Sequence, residues 1–189
     1  MAKSEEDGQL YIRYLKKGDK DALKQLWLKY KEALTMFLYG LVHSMDDAEE
    51  LMMDTFAILS SRTAHYSPRK DASFKTWLYA IGRNQARMFQ RKHREVPSEM
   101  EEGTLELPAS EDIAQRILTS ERNTQLWKAL QTLHADYAQV LYLSFFEDMN
   151  SEQIARIMKK TVKQVYNLQT RAKAALKEKL EGTGYSWEP

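Results

Sequence analysis

Arg83, Arg87, Arg91 and Arg94 step by four, four and three residues, so they share one stripe of a helix. Like charges at that spacing repel, and a helix carries them at a small cost unless a polyanion is the partner. Asn84 lies beside the stripe. Trp77, Tyr79 and Phe89 are interleaved with it, and such side chains stack on unpaired bases. The chemistry on offer is phosphate attraction with stacking; the bland alternative is a solubilising face over a core containing Trp77 and Phe89.

A second set lies in NSEQIARIMKKTVKQVYNLQTR, residues 150–171. Asn150 or Ser151 can cap a short helix carrying Ile154, Ala155 and Met158. A turn at Lys159–Thr161 follows, and Thr161 can cap a second helix with Val165 and Leu168 inside. Small Ala155 lets two helices cross closely, the spacing of a helix-turn-helix. The second helix then presents Lys163, Gln164, Tyr166, Asn167, Thr170 and Arg171, hydrogen-bonding types suited to base edges and phosphates. Lys159 stands where such turns usually have glycine, and Lys160 where they usually have an apolar residue. An ordinary helical hairpin with a solvated basic face is the alternative.

A third set is acidic. Asp47, Glu50 and Asp54 lie at i, i+3 and i+7, one face of a helix. A helix N-terminus accounts for Asp46 and Asp47, but Asp54 is two turns in and gains little from it. A basic protein partner, a solvated face and a carboxylate metal site all remain open. The metal site normally wants histidines or a second carboxylate helix, and His43, His65, His93 and His134 fall at no such spacing.

These charges come in blocks. Residues 46–54 hold five acids and no base, 74–94 six bases and no acid, 95–112 seven acids and no base. The net charge of +1 conceals strong local fields of opposite sign, which suit different partners. The absence of cysteine removes thiolate zinc sites and thiol nucleophiles. P-loop, GxGxxG, HExxH and GxSxG motifs are absent, so no catalytic residue, metal ligand or cofactor is assigned. No apolar run approaches a membrane helix, and the opening MAKSEEDGQL is too polar for a signal peptide; no membrane insertion and a cytoplasmic location are expected.

Positioning these sets requires helices. With 43% hydrophobic residues, seven glycines and four prolines, the composition points to an all-α chain. Apolar periodicity predicts helices over 4–17, 19–43, 46–60 and 74–94, with Asp46 and Glu49 as a capping box and a loop at 61–73. In the fourth of these helices Phe74, Trp77, Leu78, Ile81 and Met88 should face inward. Residues 95–112 hold two prolines, one glycine and only acidic charge, a linker. Shorter helices follow at about 113–131, 136–146, 151–159 and 162–180. The expected organisation is two small helical domains, 1–94 and 113–181, joined by the acidic linker 95–112 and ending in a tail, 182–189.

In this order the pieces resemble bacterial RNA polymerase sigma factors. DDAEELMMDTF followed by FKTWLYAIGRNQAR is similar to their second conserved region, and the helix-turn-helix to their fourth. The short length, without an intervening third domain, resembles the extracytoplasmic-function group. The resemblance implies a non-enzymatic transcription initiation factor that binds core RNA polymerase and promoter DNA, with an anti-sigma factor as a family expectation. It implies that Asp47, Glu50 and Asp54 dock on the polymerase. It implies minus-10 contacts by His65, Tyr66 and Arg69 in the loop 62–73 and by Arg83, Asn84, Arg87 and Arg91 on the basic helix. Lys163, Gln164, Tyr166, Asn167, Thr170 and Arg171 would then face the minus-35 element. Gln169 occupies a position usually apolar in this family. A helix-turn-helix regulator acting without being a polymerase subunit is the rival, along with a helical metal hydrolase.

Overall fold

Gly18 closes the first helix and Asp19 opens the second. The computed structural model describes residues 2–63, 65–68, 73–94 and 121–181. Helix α1 spans Ala2–Lys17, and Gly18 follows at φ +68°, a conformation glycine adopts without penalty. The Asp19 carboxylate accepts the Ala22 amide at 3.1 Å and starts α2, Lys20–Val42. His43 ends α2 in the left-handed region at φ 58°.

Helix α3, Met45–Ser60, is capped by Ser44, whose hydroxyl accepts the Asp47 amide at 3.3 Å. This corrects the expected start at Asp46. A hydroxyl on the residue just after the His43 break takes the cap, and Asp46 and Asp47 fall in the positive first turn. Ser73 caps α4, Phe74–Arg94, through the Thr76 amide at 3.1 Å. Beyond it come α5 (Glu121–Gln131), α6 (Ala135–Phe145), α7 (Ser151–Met158) and α8 (Val162–Glu181). The part of the expected 113–131 helix before 121 lies outside the described residues. The chain is all-α, with eight helices and no strand among the described residues. Among them no helix is long and apolar enough to cross a membrane.

In the first half α2 packs against α1, α3 and α4, and α3 against α4. Leu26, Leu34, Leu38, Leu59 and Leu78 are fully buried there. Gly82 lets α4 come close, since a Cβ would sit 3.1 Å from Leu34 Cδ1. Tyr11 donates its hydroxyl to the Leu59 carbonyl at 3.1 Å and Tyr14 to that of Ser60 at 2.7 Å, tying α1 to the end of α3. In the second half α5, α6 and α7 all pack on α8. The halves also meet: α7 lies on α4, and α6 on α2.

That contact changes the inward face expected for α4. Phe74 and Leu78 are buried and Trp77 and Ile81 partly so, whereas Met88 is 55% exposed. Tyr79, absent from the expected set, is fully buried because the second half covers its side of the helix. Leu34→Ala should therefore cost about 2–5 kcal/mol by emptying the site beneath Gly82. Met88→Ala should stay within about 0.5 kcal/mol. Denaturant unfolding checks both, and equal losses would contradict this core.

Candidate nucleic-acid interface

Helix α4 sets the geometry of the basic residues. Arg83, Asn84, Arg87 and Arg91 line a single cleft of about 750 Å³, as the helical stripe requires. Its far wall belongs to the second half: Ala135, Asp136, Gln139 and Lys159. Arg87 and Arg91 are exposed and Asn84 is half-buried.

Arg83 differs from the solvated cation that its place in the stripe predicts. It is only 4% exposed. Its Nε donates to Gln139 Oε1 at 2.7 Å, one terminal nitrogen lies 3.8 Å from Asp136 Oδ1, and the other has no hydrogen-bond partner among the described residues. Burial, then the charge of Arg87, lowers its pKa from the usual arginine value, with Asp136 acting in the opposite sense. Packing against the second half is the cause, and no periodicity within α4 signals it.

The loop before α4 splits its three candidates. His65 is exposed. Tyr66 is buried instead, packed by its ring against Tyr11, Phe74 and Trp77 at 5.8, 5.7 and 5.1 Å. An aromatic side chain beside an aromatic cluster gains more from burial than from solvent, so Tyr66 is core in this structure. Arg69 lies outside the described residues.

On the opposite flank of α4, Asp47, Glu50 and Asp54 come together as the spacing requires. They line a groove of about 840 Å³ whose other wall includes Met88, Phe89, Arg91 and Lys92. Glu50 and Asp54 are exposed, Asp47 is half-buried, and none of the three is in an ion pair among the described residues. Among those residues no group of three or more His, Asp or Glu is placed to hold a metal ion.

The helix-turn-helix is built with capping boxes at both helix starts. Asn150 and Gln153 bond each other's backbone amides at 2.9 and 3.0 Å, and Thr161 and Gln164 do so at 3.2 and 2.8 Å. Asn150, rather than Ser151, is thus the cap of α7. Lys159 adopts the left-handed conformation, φ 54° and ψ 46°, that glycine usually supplies. Lys160 points its ammonium to Asp136 Oδ2 at 3.0 Å, and Gln169 donates to Ser144 Oγ at 2.7 Å. Lys160 and Gln169, both departures from the expected pattern, thus have polar partners on α6.

Lys163, Gln164, Tyr166, Asn167, Thr170 and Arg171 are all exposed on α8, opposite buried Val165 and Ala172. Gln164 is occupied in the cap, and the Thr170 hydroxyl donates to the Tyr166 carbonyl at 3.0 Å. Among the described residues the side-chain ends of Lys163, Tyr166, Asn167 and Arg171 form no hydrogen bond or ion pair, and Tyr166 is 57% exposed.

The chain matches the Sigma-70 region 2 family over residues 26–96 and the Sigma-70, region 4 family over 123–176. It is 29% identical over 190 residues to the RNA polymerase sigma-H factor of Pseudomonas aeruginosa, covering 96% of this chain and 97% of that one. It is 24% identical over 164 residues to the RNA polymerase sigma factor YlaC of Bacillus subtilis, covering 85% and 93%. The sigma factor RpoE of Bartonella quintana, crystallised with the anti-sigma factor NepR, superposes with a TM-score of 0.67 at 25% identity, covering 84% of this chain and 96% of that one. CnrH, solved with the cytosolic domain of CnrY, shares the fold at a TM-score of 0.64 and 22% identity, covering 93% and 97%.

The left-handed residue of the turn yields a direct test. A β-carbon in that conformation costs about 1–2 kcal/mol. Lys159→Gly should accordingly raise the stability of the folded chain by up to about 1 kcal/mol, the gain being reduced by the greater freedom of glycine when unfolded. A fall in melting temperature would contradict the turn geometry.

Proposed function

The chain belongs to the sigma-70 family as an extracytoplasmic-function sigma factor, a non-enzymatic transcription initiation factor that binds core RNA polymerase and promoter DNA, and from that premise we propose how its residues divide the work. The first half, residues 1–94, docks on the polymerase and handles the minus-10 element. The second, 113–181, recognises the minus-35 element, and the acidic segment 95–112 links them. The place of action is the cytoplasm.

Docking falls to Asp47, Glu50 and Asp54. Three carboxylates on one groove wall, without an ion-pair partner among the described residues, carry this assignment. A basic partner surface would remove their mutual repulsion, and the exposed Met53 and Met88 add apolar contact nearby. Arg87, Arg91 and Asn84 hold the backbone of the opening minus-10 duplex, with exposed His65 close in sequence. Extruding a base costs a few kcal/mol, and polymerase binding energy offsets it. On α8, Lys163, Tyr166 and Asn167 lie near the N-terminal end that enters a major groove, and Arg171 lies nearer the phosphates. Gln164 also holds the start of α8, since its side-chain oxygen accepts the Thr161 amide. An anti-sigma factor, the partner of the RpoE relative in its crystal, is a natural regulator of this chain as well.

The alternative of a regulator outside the polymerase differs in one measurable respect. Asp47→Lys, Glu50→Lys and Asp54→Lys together should abolish co-purification with core polymerase while leaving the helical circular dichroism unchanged. Undiminished polymerase binding by the triple variant would overturn the docking assignment.

A further inference from the structure

Asp7, Tyr11 and Tyr14 step by four and three residues along α1, so they share one face, with Gly8 beside the first. All three are buried. The Asp7 carboxylate, 2% exposed, accepts from Lys29 Nζ at 2.7 Å and from the Tyr30 hydroxyl of α2. Breaking a buried charge pair is costly, so this contact holds α1 in place on α2. The Tyr11 ring sits 5.4 Å from Phe74 and 5.3 Å from Trp77, which sets the same face against α4.

That face also grips the chain leaving α3, at two points. At the first, the bonds from Tyr11 and Tyr14 hold the Leu59 and Ser60 carbonyls. Arg62 follows in the left-handed region at φ 58°, a conformation that a residue with a side chain keeps only when its surroundings over-determine it. Its guanidinium lies over the Tyr14 ring, 5.0 Å from the centroid, and a Cβ on Gly18 would stand 3.2 Å from one of its nitrogens. At the second point the Tyr66 ring packs on Tyr11. The Tyr66 hydroxyl lies against Gly8, where a Cβ would come within 2.7 Å of the oxygen. Thr63 and His65 fall between the two points in sequence and are exposed.

We propose that α1 is the template of the minus-10 loop, and that Gly8, Tyr11 and Tyr14 are positioning residues for a base contact made beyond them by Thr63 and His65. The three are themselves buried and do not meet DNA. An extruded base is read by hydrogen bonds and by stacking, and both need the receiving side chains held to within about 0.5 Å. Two anchors on one fixed helix supply that constraint, one on each side of the exposed pair. The Sigma-70 region 2 match begins at residue 26, so the template precedes it. The proposal rests on the assignment of this loop to the minus-10 element.

Gly8→Ala tests the template directly. The Asp7 contacts keep α1 from giving way, so the new Cβ must displace Tyr66, and the loop with it. In binding-site selection with holoenzyme, this variant should lose about five-fold of its discrimination at a minus-10 position, the lower end of what one mismatched base pair costs. Its minus-35 preference and its co-purification with core polymerase should be unchanged. Tyr66→Phe removes the oxygen that the Cβ meets, so Gly8→Ala added to Tyr66→Phe should cause no further loss. Undiminished minus-10 discrimination in Gly8→Ala would overturn the template. So would a further loss in the double variant, or equal losses at both elements with the helical circular dichroism intact. Should Gly8→Ala lose that circular dichroism, Tyr14→Phe decides: it keeps the ring, removes only the bond to Ser60, and should give the same selective loss. No loss from it would overturn the template. The underlying assignment fails separately, if Thr63→Ala with His65→Ala leaves the minus-10 preference as it was.

Discussion

Helix α4 is packed from two sides, and its two-sided burial governs what the rest of the molecule can do. One face lies on α2 and α3, where Gly82 allows the approach and Leu34 fills it. Another face lies under α7 and the end of α6, and Tyr79 is fully buried. Among the described side chains, the basic residues of α4 left exposed form a strip toward its C-terminal end, Arg87, Arg91 and Lys92, flanked by one acidic groove and one cleft. The rigid core fixes the strip, and the strip fixes where a polyanion approaches. A helix bound on one side alone would leave Arg83 in water, where its charge would be screened.

Charge segregation follows from the same arrangement. The acids of α3 and the bases of α4 border a common groove, and among the described residues Asp47, Glu50 and Asp54 form no ion pair. Such a surface keeps each sign available to an outside partner of the other sign, which serves steering and specificity more than stability. The family's work, binding a polymerase and a promoter at once, asks for this separation. The net charge of +1 is its arithmetical consequence rather than evidence against nucleic acid.

Helix positions were legible because each boundary has a local cause. Gly18, Asp19, Ser73, Asn150 and Thr161 act within three or four residues, and the helices begin and end beside them. The helix-turn-helix was legible for the same reason. The start of α3 was not, because Ser44 and Asp46 both have capping chemistry and only the His43 backbone decides between them. Tyr66, Tyr79 and Arg83 were illegible as core residues, since what buries them is far away in sequence. Gln139 and Glu147 went unassigned for that reason too: a buried amide and carboxylate on α6 and its exit have no meaning until α4 stands opposite. Gln164 shows the smaller version, an exposed residue whose side-chain oxygen the capping box uses.

The proposed division of labour sets α4 on the melting minus-10 element and α8 on the minus-35 duplex, within one polymerase-bound chain. The most direct measurement is site-specific photocrosslinking in the open complex, with benzoylphenylalanine placed at Arg87 or, separately, at Asn167. Position 87 should crosslink to the minus-10 element and position 167 to the minus-35 element, both only with core polymerase present. Crosslinks from both positions to the same element, or equally strong crosslinks without polymerase, would contradict it.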